Sequence, residues 1–207
     1  HHSGESGWSA DIGHDTLSGG AGNDTLIGGR GSDTLDGGDG LDTAVFSGNR
    51  SASQFAWDGD ILRITTGDDT DQLTGIERLR FADRKIAFDV TPDGNAGQMM
   101  AFIATVAPDH LDDLSARGLI LGLLDGGETL LGLSQKALDL HLVPDDNADL
   151  ANTLCQHVLN GQPTAERTQA LTSYIEENGQ AGFIAAVAGL HLNIDLVGLQ
   201  QSGVEYC

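Results

Sequence analysis

The sequence predicts a mixed fold in which β-structure comes first and α-helices follow. Residues 10–45 repeat with a period of nine residues. Over residues 46–89, short apolar runs alternate with polar positions and indicate ordinary β-strands, whereas from residue 91 onward apolar residues recur every three or four positions and indicate helices. We therefore expect a parallel β-roll with a capping β segment over residues 1–92, followed by a mainly α-helical bundle over residues 93–207.

The repeat consists of four consecutive copies of a nine-residue unit. In the last three copies glycine occupies positions one, two and four, and in all four copies aspartate occupies position six and threonine position seven. Glycine allows positive φ and close backbone approach, so the first six residues can form a tight loop with exposed carbonyl groups. The last three residues then form a short strand, in which Leu17, Leu26 and Leu35 are expected to face inward.

Two such units complete one turn of a flattened coil, so residues eighteen apart become neighbours about 4.8 Å apart in a parallel ladder. Asp15 is then expected to lie over Asp33, and Asp24 over Asp42. Carboxylates at this spacing repel, and a segment rich in glycine offers little apolar burial as compensation. A cation must bridge them, and oxygen-only ligands select a hard ion such as Ca²⁺ over zinc or copper. A disordered linker is the alternative, but random linkers do not keep four aspartates in phase.

The pattern G-G-x-G-x-D-x-U-x resembles the calcium-binding nonapeptide of RTX (repeats-in-toxin) proteins. In that family a calcium ion lies between loops one full turn apart. One loop supplies the backbone carbonyl groups of its positions two and four and the side chain of its aspartate. The other loop supplies the carbonyl groups of its positions one and three and the side chain of its aspartate. The ligands that this resemblance implies for the first site are Asp11, Gly13, Asp15, Gly28, Arg30 and Asp33. Those that it implies for the second site are Gly20, Gly22, Asp24, Gly37, Asp39 and Asp42.

The first copy of the repeat departs from the pattern, since Ala10 and Asp11 replace its glycine pair. We therefore expect a distorted loop and a weaker first site. Upstream of it, Gly4, Ser6 and Trp8 fall on the glycine, aspartate and apolar positions of the same register, which suggests a decayed repeat.

The sequence after the repeats predicts a β-hairpin followed by a capping segment, the cap, that covers the end of the coil. Gln54–Trp57 and Ile61–Thr66 are strand-like runs around the turn Asp58-Gly59-Asp60. The following residues resemble the segment that closes RTX coils, and their bulky apolar side chains are expected to cover the open edge of the last coil. The matching residues are Asp71, Leu73, Ile76, Glu77, Leu79, Phe81, Ala82 and Asp83. Three acids in the turn before this segment are either solvated or a further calcium site: Asp68, Asp69 and Asp71.

Seven helices are predicted in the second half from apolar spacing, caps and glycines. They are Ala96–Val106, Leu111–Leu123, Leu130–Leu140, Ala148–Leu159, Thr164–Glu177, Ala181–Leu190 and Ile194–Gln201. Asp109, Asn147 and Thr164 are the expected N-caps of the second, fourth and fifth helices. The order of elements resembles a helical domain of unassigned function that is common after RTX repeats in type I secreted bacterial proteins, and this resemblance supplies no catalytic residue.

Charge and composition exclude several classes of function. The 207 residues include 10 Lys and Arg against 31 Asp and Glu, for a formal net charge of −21. Such a surface repels nucleic acid and anionic membranes and attracts cations. The sequence contains no apolar run of about 18 residues that could span a membrane. Of the two cysteines, Cys155 is expected to be a small buried side chain, and Cys207 a free thiol or an interchain cross-link.

No catalytic site is predicted. The histidines of the second half, at positions 110, 141, 157 and 191, have no partner at metal-ligand spacing. The sequence shows no nucleophile elbow, phosphate loop or Cys–His set. We therefore expect that this chain is not an enzyme.

The expected function is that of a calcium-binding module that folds when calcium binds, forming the C-terminal part of a secreted RTX protein. The resemblance implies an extracellular location and export by type I secretion machinery as an unfolded chain, with a signal near the C-terminus. Two alternatives remain open. The chain could be a calcium-dependent adhesin or surface-layer module that binds polysaccharide or self-associates at the cell surface. It could also be the accessory tail of a secreted hydrolase or glycan-modifying enzyme.

Overall fold

A computed structural model of the chain describes residues 7–8, 12–159, 163–191 and 202–207. The chain divides into two compact units, of which the first comprises His1–Phe88 with Leu199–Cys207 and the second Asp89–Gly198. The sequence predicts a mainly α-helical bundle over residues 93–207, and the structure adds a strand at Val204–Tyr206 that belongs to the first unit. This strand forms because it pairs with a distant partner, Lys85–Ala87.

The described part of the first unit contains eleven β-strands. They are β1 Gly7–Trp8, β2 Thr16–Ala21, β3 Thr25–Ile27, β4 Thr34–Asp39, β5 Thr43–Val45, β6 Ser53–Asp58, β7 Ile61–Thr66, β8 Asp69–Thr74, β9 Arg78–Arg80, β10 Lys85–Ala87 and β11 Val204–Tyr206. Among these residues one sheet has the strand order β1-β3-β5-β9-β10-β11, and the other has the order β2-β4-β8-β7-β6.

The repeat strands pair in parallel with the predicted register. Thr16 lies opposite Thr34 in the second sheet, and Thr25 lies opposite Thr43 in the first. The strands that follow the repeats add antiparallel pairs, β6 with β7, β7 with β8, β9 with β10 and β10 with β11. Both sheets are therefore mixed rather than parallel throughout, because a tight hairpin can join only antiparallel strands.

Side-chain alternation in the short repeat strands builds the core of the first unit. Leu26 and Leu35 are buried while the preceding threonines, Thr25 and Thr34, are exposed. Leu17 is partly buried and packs against the same cluster. Ala44 of the last repeat is also buried in this core. The segment after the repeats contributes the other buried residues, Leu62, Ile64, Leu73, Ile76, Leu79, Phe81 and Ile86. Apolar residues of the cap therefore cover the interior of the last coil, as predicted.

The predicted hairpin is present between the repeats and the cap. β6 and β7 pair from Ser53 opposite Thr66 to Asp58 opposite Ile61, and Gly59 in the turn has a φ of +64°. After the hairpin, β8 pairs in parallel with β4 and so extends the sheet of the repeats. β9 then pairs in parallel with β5, so the cap continues both sheets of the coil.

The described part of the second unit contains six α-helices. They are α1 Asn95–Val106, α2 Leu114–Asp125, α3 Leu130–Asp139, α4 Asn147–Leu159, α5 Ala165–Asn178 and α6 Gln180–His191. The helix predicted at 194–201 lies outside the described residues. No helix within the described residues has the length and apolar character needed to cross a membrane.

The helix caps agree with the sequence only in part. Thr164 caps α5 as predicted, since its hydroxyl accepts a hydrogen bond from the Arg167 N–H at 3.3 Å. The second helix begins later than predicted because Asp113, not Asp109, caps it, with Oδ1 lying 2.9 Å from the Ser115 N–H nitrogen. Asp109 instead belongs to a short 3₁₀ turn, Pro108–His110. Similarly, Asn147 is the first residue of α4, and the carboxylate of Asp146 accepts from the N–H groups that follow.

Candidate metal centre

Backbone hydrogen bonds hold successive loops of the repeat directly over one another. The Thr34 N–H donates to Asp15 O at 2.8 Å, and the Thr43 N–H donates to Asp24 O at 2.9 Å. The loops themselves are also joined, since the Gly22 N–H of one loop donates to Asp39 O of the next at 2.8 Å. These bonds place each position-six aspartate above the aspartate one turn earlier.

The stacked aspartates form a ladder in which each carboxylate binds the backbone of the turn before it. Asp33 Oδ1 accepts a hydrogen bond from the Asp15 N–H at 2.9 Å, and Asp42 Oδ1 accepts from the Asp24 N–H at 2.7 Å. Asp33 is 2 % exposed and Asp42 is 0 % exposed. The predicted pairs, Asp15 with Asp33 and Asp24 with Asp42, are therefore brought together.

Glycine at positions two and four lets the carbonyl groups of one turn approach the backbone of the next. A Cβ at Gly38 would overlap the carbonyl oxygen of Gly20, and a Cβ at Gly40 would overlap that of Gly22. Both upper glycines also have positive φ, which side chains disfavour. Two of the carbonyl oxygens implied as ligands thus lie against the next loop because no side chain is present there.

At position one of the repeat, glycine leaves room for a carbonyl oxygen and a carboxylate oxygen to lie close together. A Cβ at Gly19 would lie 2.6 Å from Gly37 O and 2.8 Å from Asp24 Oδ2. These two oxygens come from different turns and are both among the ligands implied for the second site. The structure therefore brings oxygen atoms of both loops to one point beside Gly19.

Two of the stacked carboxylates each have one buried oxygen that accepts no hydrogen bond from the described part of the chain. Within the described residues, Asp24 Oδ2 and Asp42 Oδ2 are buried and have no hydrogen-bond partner. Burial raises the pKa of Asp42, and the charges of Asp24, Asp36 and Asp39 raise it further, against the lowering effect of the Asp24 N–H. An unpaired buried carboxylate oxygen is costly, and a cation removes that cost.

The donor set fits calcium. Among the described residues no group of three or more His, Cys, Asp or Glu side chains is arranged to hold a metal ion by side chains alone. Each candidate site instead combines two aspartates with backbone carbonyl groups. Oxygen-only coordination with several carbonyl ligands suits Ca²⁺ and is unsuited to softer metals.

Comparison with protein families agrees with this geometry. Residues 9–44 match the family model of the RTX calcium-binding nonapeptide repeat, in four copies. This segment is a set of RTX repeats. No curated protein matches the chain.

The RTX loops contain eleven of the twelve predicted ligand residues in described positions, and Asp11 lies outside the described residues. In the first site Gly13 and Arg30 are joined by a 3.1 Å hydrogen bond from the Gly13 N–H to Arg30 O. Gly28 lies against the carboxylate of Asp33, since a Cβ there would overlap Asp33 Oδ2. Assignment of these residues as ligands stays a prediction.

Two acidic residues of the cap extend the RTX ladders, which the sequence did not predict. Asp71 Oδ1 accepts from the Asp33 N–H at 2.8 Å, and Glu77 Oε2 accepts from the Asp42 N–H at 2.8 Å. The available signal was the order acid-x-Leu, in which Asp71-Gln72-Leu73 and Glu77-Arg78-Leu79 repeat the pattern of Asp15-Thr16-Leu17. The intervening hairpin hides it by breaking the nine-residue period.

The three acids of the β7–β8 turn have separate environments. Asp68 and Asp69 are exposed, whereas Asp71 is partly buried in the ladder. Burial raises the pKa of Asp71 to about 6, with the charges of Asp33 and Asp69 adding to the effect and the hydrogen bond from the Asp33 N–H opposing it. Asp68, Asp69 and Asp71 therefore do not form a group of acidic side chains that could hold a metal ion.

The described histidine side chains of the second unit, at positions 110, 141 and 157, each lie beside a different partner. His110 lies 3.7 Å from Asp113, and His141 lies 3.2 Å from Asp145, both at the protein surface. His157 Nδ1 lies 2.7 Å from Thr105 O. Cys155 is buried and carries a free thiol whose pKa burial raises.

Proposed function

We propose that the first unit binds calcium between successive RTX loops as a β-roll and that calcium binding drives its folding. The single observation that carries this proposal is Asp24 Oδ2, which is buried, has no hydrogen-bond partner within the described residues, and lies with Gly37 O of the next turn beside Gly19. At neutral pH a cation that offsets the buried charge stabilises a folded state of this kind. The twelve residues that the RTX pattern implies are the proposed ligands.

Folding and metal binding are one event in this proposal. An acidic segment rich in glycine cannot bury enough apolar surface to order itself, so the free energy of metal binding contributes directly to folding. Extracellular calcium modules bind at about 10⁻⁴ to 10⁻³ M. The first unit therefore stays unfolded where calcium is scarce and folds where calcium is plentiful.

The proposed setting is a secreted protein exported by type I machinery, with this chain as a calcium-dependent module rather than an enzyme. RTX repeats are typical of secreted extracellular proteins, and their match to residues 9–44 supports this setting. Folding that waits for extracellular calcium keeps the chain unfolded during export. The helical unit is proposed as an independently folding companion of the RTX unit.

Calcium titration by calorimetry and circular dichroism tests the proposal on the full chain. Asp24→Ala and Asp42→Ala should abolish most of the calcium-induced β signal and leave the helical signal largely intact. Asp60→Asn is the matched control, because Asp60 is an exposed acid in the turn of the β6–β7 hairpin. A parent chain whose first unit shows full hydrogen-exchange protection in excess chelator would refute the proposal.

Sedimentation in the same titration distinguishes folding from assembly. A calcium-induced compaction at constant mass supports the folding module. Growth in mass with calcium would instead support the self-associating surface module.

A further inference from the structure

We propose a further calcium site between the last RTX loop and the capping segment, formed by Asp42, the carbonyl group of Gly75 and the carboxylate of Glu77. It lies one turn beyond the second repeat site and shares Asp42 with it. This inference rests on the proposed function, because it assigns the same ion to a place that the nine-residue pattern does not reach.

The backbone of the cap repeats the oxygen arrangement of the RTX loops. A Cβ at Gly37 would overlap Gly75 O and would lie 2.7 Å from Asp42 Oδ2. One turn earlier, a Cβ at Gly19 would meet a position-one carbonyl and a position-six carboxylate in the same way. Gly75 therefore takes the place that position one of a further repeat would occupy.

Glu77 takes the place of the position-six aspartate. Its Oε2 accepts from the Asp42 N–H at 2.8 Å, just as Asp42 Oδ1 accepts from the Asp24 N–H at 2.7 Å. Strand register agrees with this assignment, since Arg78 lies opposite Thr43 in the β5–β9 pair. Only Ile76 separates Gly75 from Glu77, so the cap reaches the same two positions by a shorter loop.

The unpartnered oxygen of Asp42 points to a ligand at this place. Asp42 is 0 % exposed, its Oδ1 is already bonded to the Asp24 N–H, and its Oδ2 has no hydrogen-bond partner within the described residues. Gly75 O and Asp42 Oδ2 both lie within 2.7 Å of one point beside Gly37. Two ligands of one calcium ion can be up to about 5 Å apart, because each Ca–O bond is about 2.3–2.6 Å.

Chemistry and charge also favour a divalent cation here. Asp42 and Glu77 supply two carboxylates, and Gly75 supplies a carbonyl, which together form an oxygen-only donor set. Gly38 O lies close by, 3.1 Å from where a Cβ of Gly75 would be. The site would join β9 to β5, so the cap would depend on calcium as the repeats do.

Counting bound calcium ions tests the inference. Glu77→Gln keeps an oxygen acceptor for the Asp42 N–H but removes the charge, and the variant should bind one ion fewer than the parent by calorimetry and native mass spectrometry. Asp24→Asn should also lose one ion, from the repeat site. Asp42→Asn should lose two, because Asp42 is shared, and Asp60→Asn should lose none.

The outcomes separate this inference from the function on which it rests. If the parent binds no calcium, the proposed function itself is wrong. If the parent binds calcium but Glu77→Gln binds the same number of ions with the same affinity, only the cap site is wrong. Should Glu77→Gln fail to fold, the anomalous signal of calcium in crystals of the parent decides the matter: a peak at bonding distance from Gly75 O supports the site, and a lack of one overturns it.

Discussion

Replacing Asp42 by Asn should change stability in opposite directions with and without calcium. Asn keeps the acceptor for the Asp24 N–H, which is 2.7 Å from Oδ1, and removes only the buried charge. Two charges about 4.8 Å apart, the strand spacing, repel by about 3 kcal/mol at an effective dielectric constant of 20. Because the new amide group must also be satisfied, we expect a net stabilisation of about 1–3 kcal/mol in chelator.

In saturating calcium the same variant should be less stable than the parent. Each site adds about 2.7 kcal/mol to the free energy of unfolding when calcium is at 100 times its dissociation constant, and Asp42→Asn removes the contributions of the two sites that share Asp42. In calcium, urea denaturation measures the effect, and in chelator, where the first unit is proposed to be unfolded, refolding by the osmolyte TMAO measures it. Tryptophan fluorescence reports on the first unit in both assays, because Trp8 and Trp57 are the only tryptophans and both belong to it.

Asp60→Asn, at an exposed acid, should leave the stability unchanged in both conditions. The reasoning is refuted if Asp42→Asn is less stable than the parent in chelator, or if calcium stabilises both equally.

Three further predictions concern the same unit. Gly38→Ala should cost at least about 2 kcal/mol in calcium, because its φ is +96° and its Cβ would overlap a carbonyl oxygen, whereas Gly48→Ala, with open space around it, should be near neutral in the same denaturation assay. Leu35→Ala, at a position 2 % exposed, should cost about 2–5 kcal/mol by urea denaturation. In chelator, the free energy of unfolding should fall as pH rises from about 4 through 6, because burial raises the pKa of Asp71 from 3.8 to about 6 on folding. With the osmolyte TMAO used to refold the first unit in chelator, a refolding midpoint at pH 5 no lower than that at pH 7 would contradict this.

The coil was predictable from the sequence because its determinants recur at a fixed spacing. Two repeats make one turn of the coil, which places Asp24 over Asp42 and Leu17 beside Leu35. Because the same spacing recurs in four copies, each copy predicts the same strand register. The β6–β7 hairpin was equally visible, since Gly59 sits in a turn between two apolar runs.

Features that depend on distant partners were not predicted, because the nine-residue period does not reach them and the acid-x-Leu order at Asp71 and Glu77 is too short a signal by itself. Glu77 joins the ladder only because β9 lies on β5, and neither its spacing from Asp42 nor its longer side chain matches the repeat. The start of α2 was missed because several acids near Asp113 could serve as its cap, and Pro108 favours a 3₁₀ turn before the helix. Short strands such as β11 form through pairing rather than propensity.

Strand β11 has a consequence for the order in which the chain can fold. Val204 lies opposite Ala87, and Tyr206 lies opposite Lys85, with the whole helical unit between them in sequence. Until residues 204–206 arrive, the outer side of β10 exposes unpaired amide and carbonyl groups, which other chains can use for edge-to-edge aggregation. Completion of the first unit therefore depends on the slow closure of a long chain segment. A chain truncated before residue 204 should aggregate more readily than the parent, because the edge of β10 stays exposed.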